Sequence, residues 1–131
     1  MSNYVKQVGG SHYEKEFQHW DFVTYDNVPY LLAVATKYID RWRKKNGLQD
    51  LEKSITYLEK ADKMGVKPHI HTPSKFLEYT KGMNNEDFLI IKQILDVRSE
   101  NQVSSIAMIE KLIEKYYSGE EASPSYVNQD R

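Results

Sequence analysis

Apolar residues recur at helical spacing along most of this chain of 131 residues. The runs are separated by residues that favour helix ends, such as Gly47 and Gly65. The expected fold is therefore all-α. The pattern predicts helices over 17–27, 29–45, 50–64, 73–81 and 86–98, and a last helix that begins at Ser104 or Ser105.

The two helices at 29–45 and 50–64 form the centre of the predicted fold. Gly47 ends the first helix at a left-handed position, and Asp50 is placed to cap the second. Because the connection is so short, the two helices form an antiparallel hairpin. The apolar stripe comprises Leu31, Val34, Ala35, Tyr38 and Trp42, widened by Leu32 and Ile39, in the first helix and Leu51, Ile55 and Leu58 in the second.

A row of cations runs beside the apolar stripe of the first hairpin helix. Lys37, Arg41 and Lys44 lie near its C-terminal end, where positive charge also compensates the helix dipole. The hairpin places this end beside the N-terminus of the next helix, whose free backbone N–H groups favour an anion. The two features converge, so we expect a phosphate site at the turn that contains Asn46 and Gly47.

Aromatic residues accompany the cations, and tyrosine or tryptophan suits sites that stack flat ligands. Trp20 is large enough to stack a base or to anchor a small core. Upstream, two adjacent glycines would let backbone amides approach a ligand closely, although a plain turn explains the pair as well. The predicted ligand-binding residues are Gly10, Ser11, His12, Tyr13, Trp20, Lys37, Tyr38, Arg41, Lys44, Asn46 and Gly47.

The sequence offers little support for catalysis. It contains no P-loop signature, no dinucleotide-binding glycine motif, no nucleophile elbow and no H-E-x-x-H zinc motif. His12 with Asp21 is the best candidate pair for acid–base or phosphoryl chemistry. His69 and His71 alternate as two metal ligands could, but they have no third ligand nearby in the sequence, so no metal is expected.

Composition and charge limit the classes of partner and the cellular compartment that we expect for this protein. A net charge of -1 argues against a surface that grips nucleic acid polymers, while a local basic patch is still allowed. The absence of cysteine excludes disulfides and thiolate chemistry. No apolar run approaches the roughly 20 residues of a membrane span, and the N-terminus lacks the apolar core of a signal peptide. We therefore expect a cytoplasmic protein with no membrane partner.

The character of the chain changes near Gly65. Residues 1–65 are predicted to form a nucleotide-binding helical domain, 66–118 a helical region that builds an oligomer or covers the site, and 119–131 a disordered tail. The helix over 86–98 is apolar around most of its circumference, which predicts burial on two sides. An apolar surface that extends around so much of the helix favours a homo-oligomer.

Four blocks in order resemble a family of small tailed-phage proteins that carries the labels SaV-like and phage nucleotide kinase. The blocks are GGSHY at 9–13, WDF at 20–22, KYIDRWRKKNG at 37–47 and DLEKSITYLEK at 50–60. The resemblance covers residues 7–64 and departs from the family at His19, where a proline usually precedes the Trp-Asp pair. It implies an association with nucleotides, because the kinase label comes from a coliphage enzyme that phosphorylates deoxynucleoside monophosphates without a P-loop.

Three functions stay open at this point. In the first, the chain binds a small phosphate-bearing nucleotide and sequesters, for example, a signalling nucleotide of host defence in the host cell cytoplasm. In the second, it is a deoxynucleoside monophosphate kinase, which would require ATP and magnesium; otherwise no cofactor is expected. In the third, it is an interaction protein that modulates a host protein through its C-terminal half.

Overall fold

The computed structural model describes residues 17–69 and 72–118. The predicted loop over 9–13 and the predicted tail over 119–131 lie outside the described residues. Within them all regular secondary structure is helical, which confirms the predicted all-α class. The helices are α1 (His19–Tyr25), α2 (Tyr30–Arg41), α3 (Leu48–Met64), α4 (Pro73–Thr80), α5 (Asn85–Ile94) and α6 (Val103–Tyr117). None of these helices is both long and apolar enough to cross a membrane.

The chain forms two compact units, and the smaller one contains α1 and α4. Its core is aromatic: the Phe22 ring stacks on Tyr79, with centroids 5.2 Å apart, and meets Phe76 edge-on at 5.8 Å. The expectation that Trp20 anchors this core is wrong, because Trp20 is 48% exposed whereas Phe22 is 1% exposed. Apolar size alone did not reveal which of the two aromatic residues faces inward.

Among the described residues, the larger unit comprises 28–69 and 83–118, and the α2–α3 hairpin lies at its centre. The Ser54 hydroxyl of α3 donates a hydrogen bond of 3.0 Å to the Ala35 carbonyl of α2. The buried face of α3 is as predicted, but that of α2 is rotated by about one residue. The structure buries Leu32, Ala35, Ile39 and Trp42, whereas Leu31, Val34 and Tyr38 are only half-buried.

The hairpin turn is longer than predicted, because α2 ends at Arg41 and α3 begins at Leu48. The prediction that Gly47 ends the first helix at a left-handed position is wrong, because Gly47 is the N-cap of α3, with a φ of 53° and a ψ of -122°. The prediction that Asp50 is the N-cap is wrong, since Asp50 lies in the first turn of α3. Its carboxylate instead accepts a hydrogen bond of 3.1 Å from the Asn46 backbone N–H.

The helices α5 and α6 complete the larger unit. Asn84 caps α5, since its side chain accepts hydrogen bonds from two backbone N–H groups of the first turn. The prediction that α5 is buried on two sides is only half right. Its residues Ile90, Ile91 and Ile94 are buried, but Leu89 is 43% exposed.

Candidate functional site

Three cations and two aromatic rings converge on one side of the hairpin. The Lys37 Nζ lies 5.1 Å from the centroid of the Tyr38 ring, the guanidinium carbon of Arg41 lies 5.4 Å from it, and the Lys53 Nζ lies 5.6 Å from it. The Tyr57 ring lies beside Tyr38, with centroids 6.1 Å apart. We call these five residues the Tyr38 surface.

Helical spacing explains how the Tyr38 surface forms. Lys37 and Arg41 are separated by one turn of α2, and Lys53 and Tyr57 are separated by one turn of α3. Residues at i and i+4 lie on the same face of a helix. Because α2 and α3 pack side by side, the two pairs meet around the ring of Tyr38.

The positive charge of the Tyr38 surface is only partly compensated. The Arg41 Nε lies 3.4 Å from Oδ2 of Asp50, which is long compared with the about 2.7–2.9 Å of a strong charge-assisted hydrogen bond. Neither Lys37 nor Lys53 forms an ion pair with another residue in the described ranges. The surface therefore carries an excess of positive charge around an aromatic ring, which attracts anions.

The turn between α2 and α3 is less open to an anion than expected. The Asn46 backbone N–H donates to Asp50, and the Gly47 N–H donates to the Trp42 carbonyl at 2.9 Å. The backbone N–H of Asp50 is likewise bonded to the Gly47 carbonyl at 3.0 Å. These amides are engaged within the hairpin, so the expectation that they are free is wrong. A buried carboxylate of the chain itself occupies the position where we expected phosphate.

Arg43, which follows the cationic row, anchors α5 to the hairpin. Its Nε donates a hydrogen bond of 2.8 Å to Asp87 Oδ2, and its Nη2 donates one of 3.0 Å to Glu86 Oε1. The Trp42 indole N–H donates to the other oxygen of Asp87 at 3.0 Å. Burial alone would lower the pKa of Arg43, but hydrogen bonds with Asp87, Tyr116 and Glu86 raise that pKa above its ordinary value. The Arg43 side chain therefore has a structural role in holding α5 against the hairpin.

Glu86 extends this network to α6. The Lys115 Nζ donates to Glu86 Oε2 at 2.6 Å, and the Tyr116 hydroxyl donates to Oε1 at 2.8 Å. The hydrogen bond from Lys115, followed by that from Tyr116, lowers the pKa of Glu86 to about 2. Glu86 is therefore ionised at any physiological pH, and it joins the first turn of α5 to the last turn of α6.

The structure brings together only part of the predicted site. Lys37, Tyr38 and Arg41 share the Tyr38 surface, whereas Lys44, Asn46 and Gly47 lie in the hairpin turn. Trp20 and Asp21 belong to the smaller unit. The residues from Gly10 to Tyr13, including His12, lie outside the described ranges.

The structure gives Asp21 a role in the local backbone. Its carboxylate Oδ2 accepts a hydrogen bond of 2.9 Å from the Gln18 backbone N–H, which forms a capping box at the start of α1. His69 is exposed. His71 lies outside the described part of the chain. Across 17–69 and 72–118, no three His, Asp or Glu residues lie close enough together to hold a metal ion.

Sequence reasoning missed Lys53 and Tyr57, although a signal for them was present. Both lie on α3 with an i, i+4 spacing that matches that of Lys37 and Arg41 on α2. The prediction considered the cations of one helix and not those of its antiparallel neighbour.

The fold and the site define a small all-α protein with a cationic aromatic surface on a helical hairpin. Residues 7–59 match the model of a family described as a protein of unknown function (DUF3310). No curated protein and no solved structure matches the chain. The matched segment contains all five residues of the Tyr38 surface and ends before α4.

Proposed function

We propose that this chain binds a small phosphate-bearing nucleotide on the Tyr38 surface. The observation that carries the proposal is the convergence of three cations, from two different helices, on one aromatic ring. A nucleotide has the complementary chemistry, since it joins a flat base to an anionic phosphate. The net charge of -1 makes a small ligand a better fit than a nucleic acid polymer.

The two parts of a nucleotide would engage different groups of the surface. The base stacks on Tyr38 or Tyr57, a contact that contributes about 1–3 kcal/mol per base in single-strand binding proteins. The phosphates meet Lys37, Lys53 and Arg41. The lysine ammonium groups sit on long flexible stems, so they can turn from the tyrosine ring to a phosphate oxygen without a change of backbone.

The proposed role is to hold the nucleotide, for example to sequester a signalling nucleotide of host defence. Asp21, one of the two candidate acid–base residues, already serves as a helix cap. Phosphate binding needs only charge and position, and both are available on the Tyr38 surface. Binding without turnover therefore requires no catalytic group beyond the residues that the structure describes.

Isothermal titration calorimetry of the full chain against a panel of linear and cyclic nucleotides tests the proposal. Wild-type protein should bind at least one member of the panel, and Lys53→Glu should weaken that binding by about tenfold or more. Lys63→Glu is the matched control, because it reverses the same charge in the last turn of the same helix. If no nucleotide binds, the proposal is wrong.

A second assay separates binding from catalysis. Protein, ATP and magnesium are incubated with each deoxynucleoside monophosphate, and the products are separated by chromatography. We expect the nucleotides to be recovered unchanged. Transfer of phosphate to any of them would instead establish the kinase alternative.

A further inference from the structure

An open apolar groove of about 480 Å³ runs between α5 and α6. Leu89 and Ile90 of α5 line it from one side, and Met108 and Leu112 of α6 line it from the other. Leu89 is 43% exposed, although the isoleucines that follow it on α5 are buried. An apolar groove edged by charged side chains is typical of a binding surface.

The edge of this groove carries both positive and negative side chains. Lys111 and Glu114 of α6 both line the groove and are exposed. At one end the edge is closed by the ion pair between Lys115 and Glu86, with Nζ and Oε2 2.6 Å apart. The edge thus has no strong net charge that would select a strongly acidic or strongly basic partner.

We propose that the groove is the interface with a second copy of this chain, in which the two α6 helices pair antiparallel about a twofold axis. An interface of this kind must be complementary to itself. If the axis passes between Leu112 and Ile113, residues equally distant from that point face each other. Lys111 then faces Glu114 of the second copy, and the same pair forms again on the other side of the axis.

The antiparallel arrangement makes the apolar and the charged parts of the groove act together. Leu112 lies next to the axis, so the apolar lining of each copy covers that of the other. The burial of Leu89 and Met108 drives the association. The two Lys111–Glu114 pairs lie at the edge, where they set the register of the helices more than the strength of binding.

Sedimentation velocity of the full chain over a range of concentrations tests the interface. We expect wild-type protein to be in reversible monomer–dimer exchange and Leu89→Glu to be monomeric. Leu89 is exposed, so the variant should retain the helical circular dichroism of the wild type. A wild-type chain that stays monomeric at every concentration overturns the proposal and leaves the groove to another protein or a small apolar ligand. A dimer that Leu89→Glu leaves intact overturns it too.

A charge exchange tests the antiparallel register. Lys111→Glu and Glu114→Lys should each raise the dimer Kd by on the order of tenfold, because each replaces two attractive pairs by two repulsive ones. The double variant should recover the wild-type Kd. Lys92→Glu, on an exposed position of α5 that does not line the groove, should leave the Kd unchanged. If the double variant associates no better than the single variants, the proposed arrangement is wrong.

Discussion

The Tyr38 surface and the α5–α6 groove are built from similar helices but differ in the balance of their charges. On the Tyr38 surface the cations Lys37 and Lys53 have no acidic ion-pair partner among the described residues. In the groove, Lys111 is accompanied by Glu114 around an apolar lining. An uncompensated charge beside aromatic rings suits a small anion, whereas balanced charge around an apolar floor suits a protein surface. We therefore propose two kinds of ligand for the two regions.

The two regions share one structural support, which is the contact of Asp87 with Trp42 and Arg43. Asp87→Ala should lower the free energy of unfolding by about 3 kcal/mol, because it leaves the buried indole N–H of Trp42 without an acceptor. Chemical denaturation monitored by circular dichroism measures the loss. Asp96→Ala is the control, since among the described residues the Asp96 carboxylate bonds only groups of the exposed Arg98, and its loss should change stability by less than about 0.5 kcal/mol. Equal losses in the two variants would show that Asp87 does not support the fold as described.

Substitution of Gly47 tests the contact between the hairpin turn and α6. A Cβ at Gly47 would lie 2.7 Å from the Tyr117 hydroxyl oxygen, and its φ of 53° disfavours any side chain. Gly47→Ala should cost about 2 kcal/mol. Gly65→Ala shares the positive φ but meets nothing within 4 Å, so it should cost about 1 kcal/mol. Thermal denaturation of both variants measures the difference.

Removal of the Tyr117 hydroxyl isolates the steric part of that cost. The substitution Tyr117→Phe should recover part of the stability lost in Gly47→Ala and none of that lost in Gly65→Ala. If Gly47→Ala is no less stable than Gly65→Ala, α6 does not pack on the turn as the structure shows.

Substitution of Tyr38 should separate ligand binding from association. Tyr38→Leu removes the aromatic face and should weaken nucleotide binding by about tenfold, whereas Tyr38→Phe keeps the face and should bind like the wild type. Both variants should retain the wild-type dimer Kd, because Tyr38 does not line the α5–α6 groove. Calorimetry measures the nucleotide affinity and sedimentation velocity measures the dimer Kd on the same samples. Equal nucleotide affinity in Tyr38→Leu and Tyr38→Phe would exclude stacking on this ring.

The smallest expected effect is on the stability of the fold at low pH. The pKa of Glu86 falls from 4.5 to about 2 in the folded protein, so the ionised carboxylate stabilises the fold above pH 4.5. That contribution should disappear as the pH falls from about 4.5 towards 2. Glu86→Gln should therefore lose less stability over this interval than the wild type, as measured by denaturation at several pH values. Glu110→Gln, on an exposed position of α6, should follow the wild-type curve.

The features that depend on neighbouring residues could be predicted from the sequence. Asn84 caps α5 through backbone N–H groups of its own first turn, and Gly65 ends α3 in the left-handed conformation. The buried positions Leu51, Ile55 and Leu58 of α3 follow directly from their helical spacing. In each case the decisive atoms lie within a few residues of each other in the chain.

The features that depend on distant residues could not be predicted in the same way. Leu31 and Leu32 are equally apolar, and only packing against the rest of the unit decides that Leu32 is buried. Asp50 has the chemistry of a cap, but its contact with Arg41 and Asn46 required the geometry of the turn. The sequence therefore pointed to the hairpin, but not to the way in which its turn is closed by Asp50.

The central claim is that the Tyr38 surface holds a nucleotide, and a nuclear magnetic resonance titration tests it most directly. Backbone amide shifts of the full chain are followed as the tightest-binding nucleotide of the calorimetric panel is added. The largest shifts should fall at residues 37–41 and 53–57 and should be reduced in Lys53→Glu. Shifts confined to α5 and α6, or no shifts with any nucleotide, would contradict the claim.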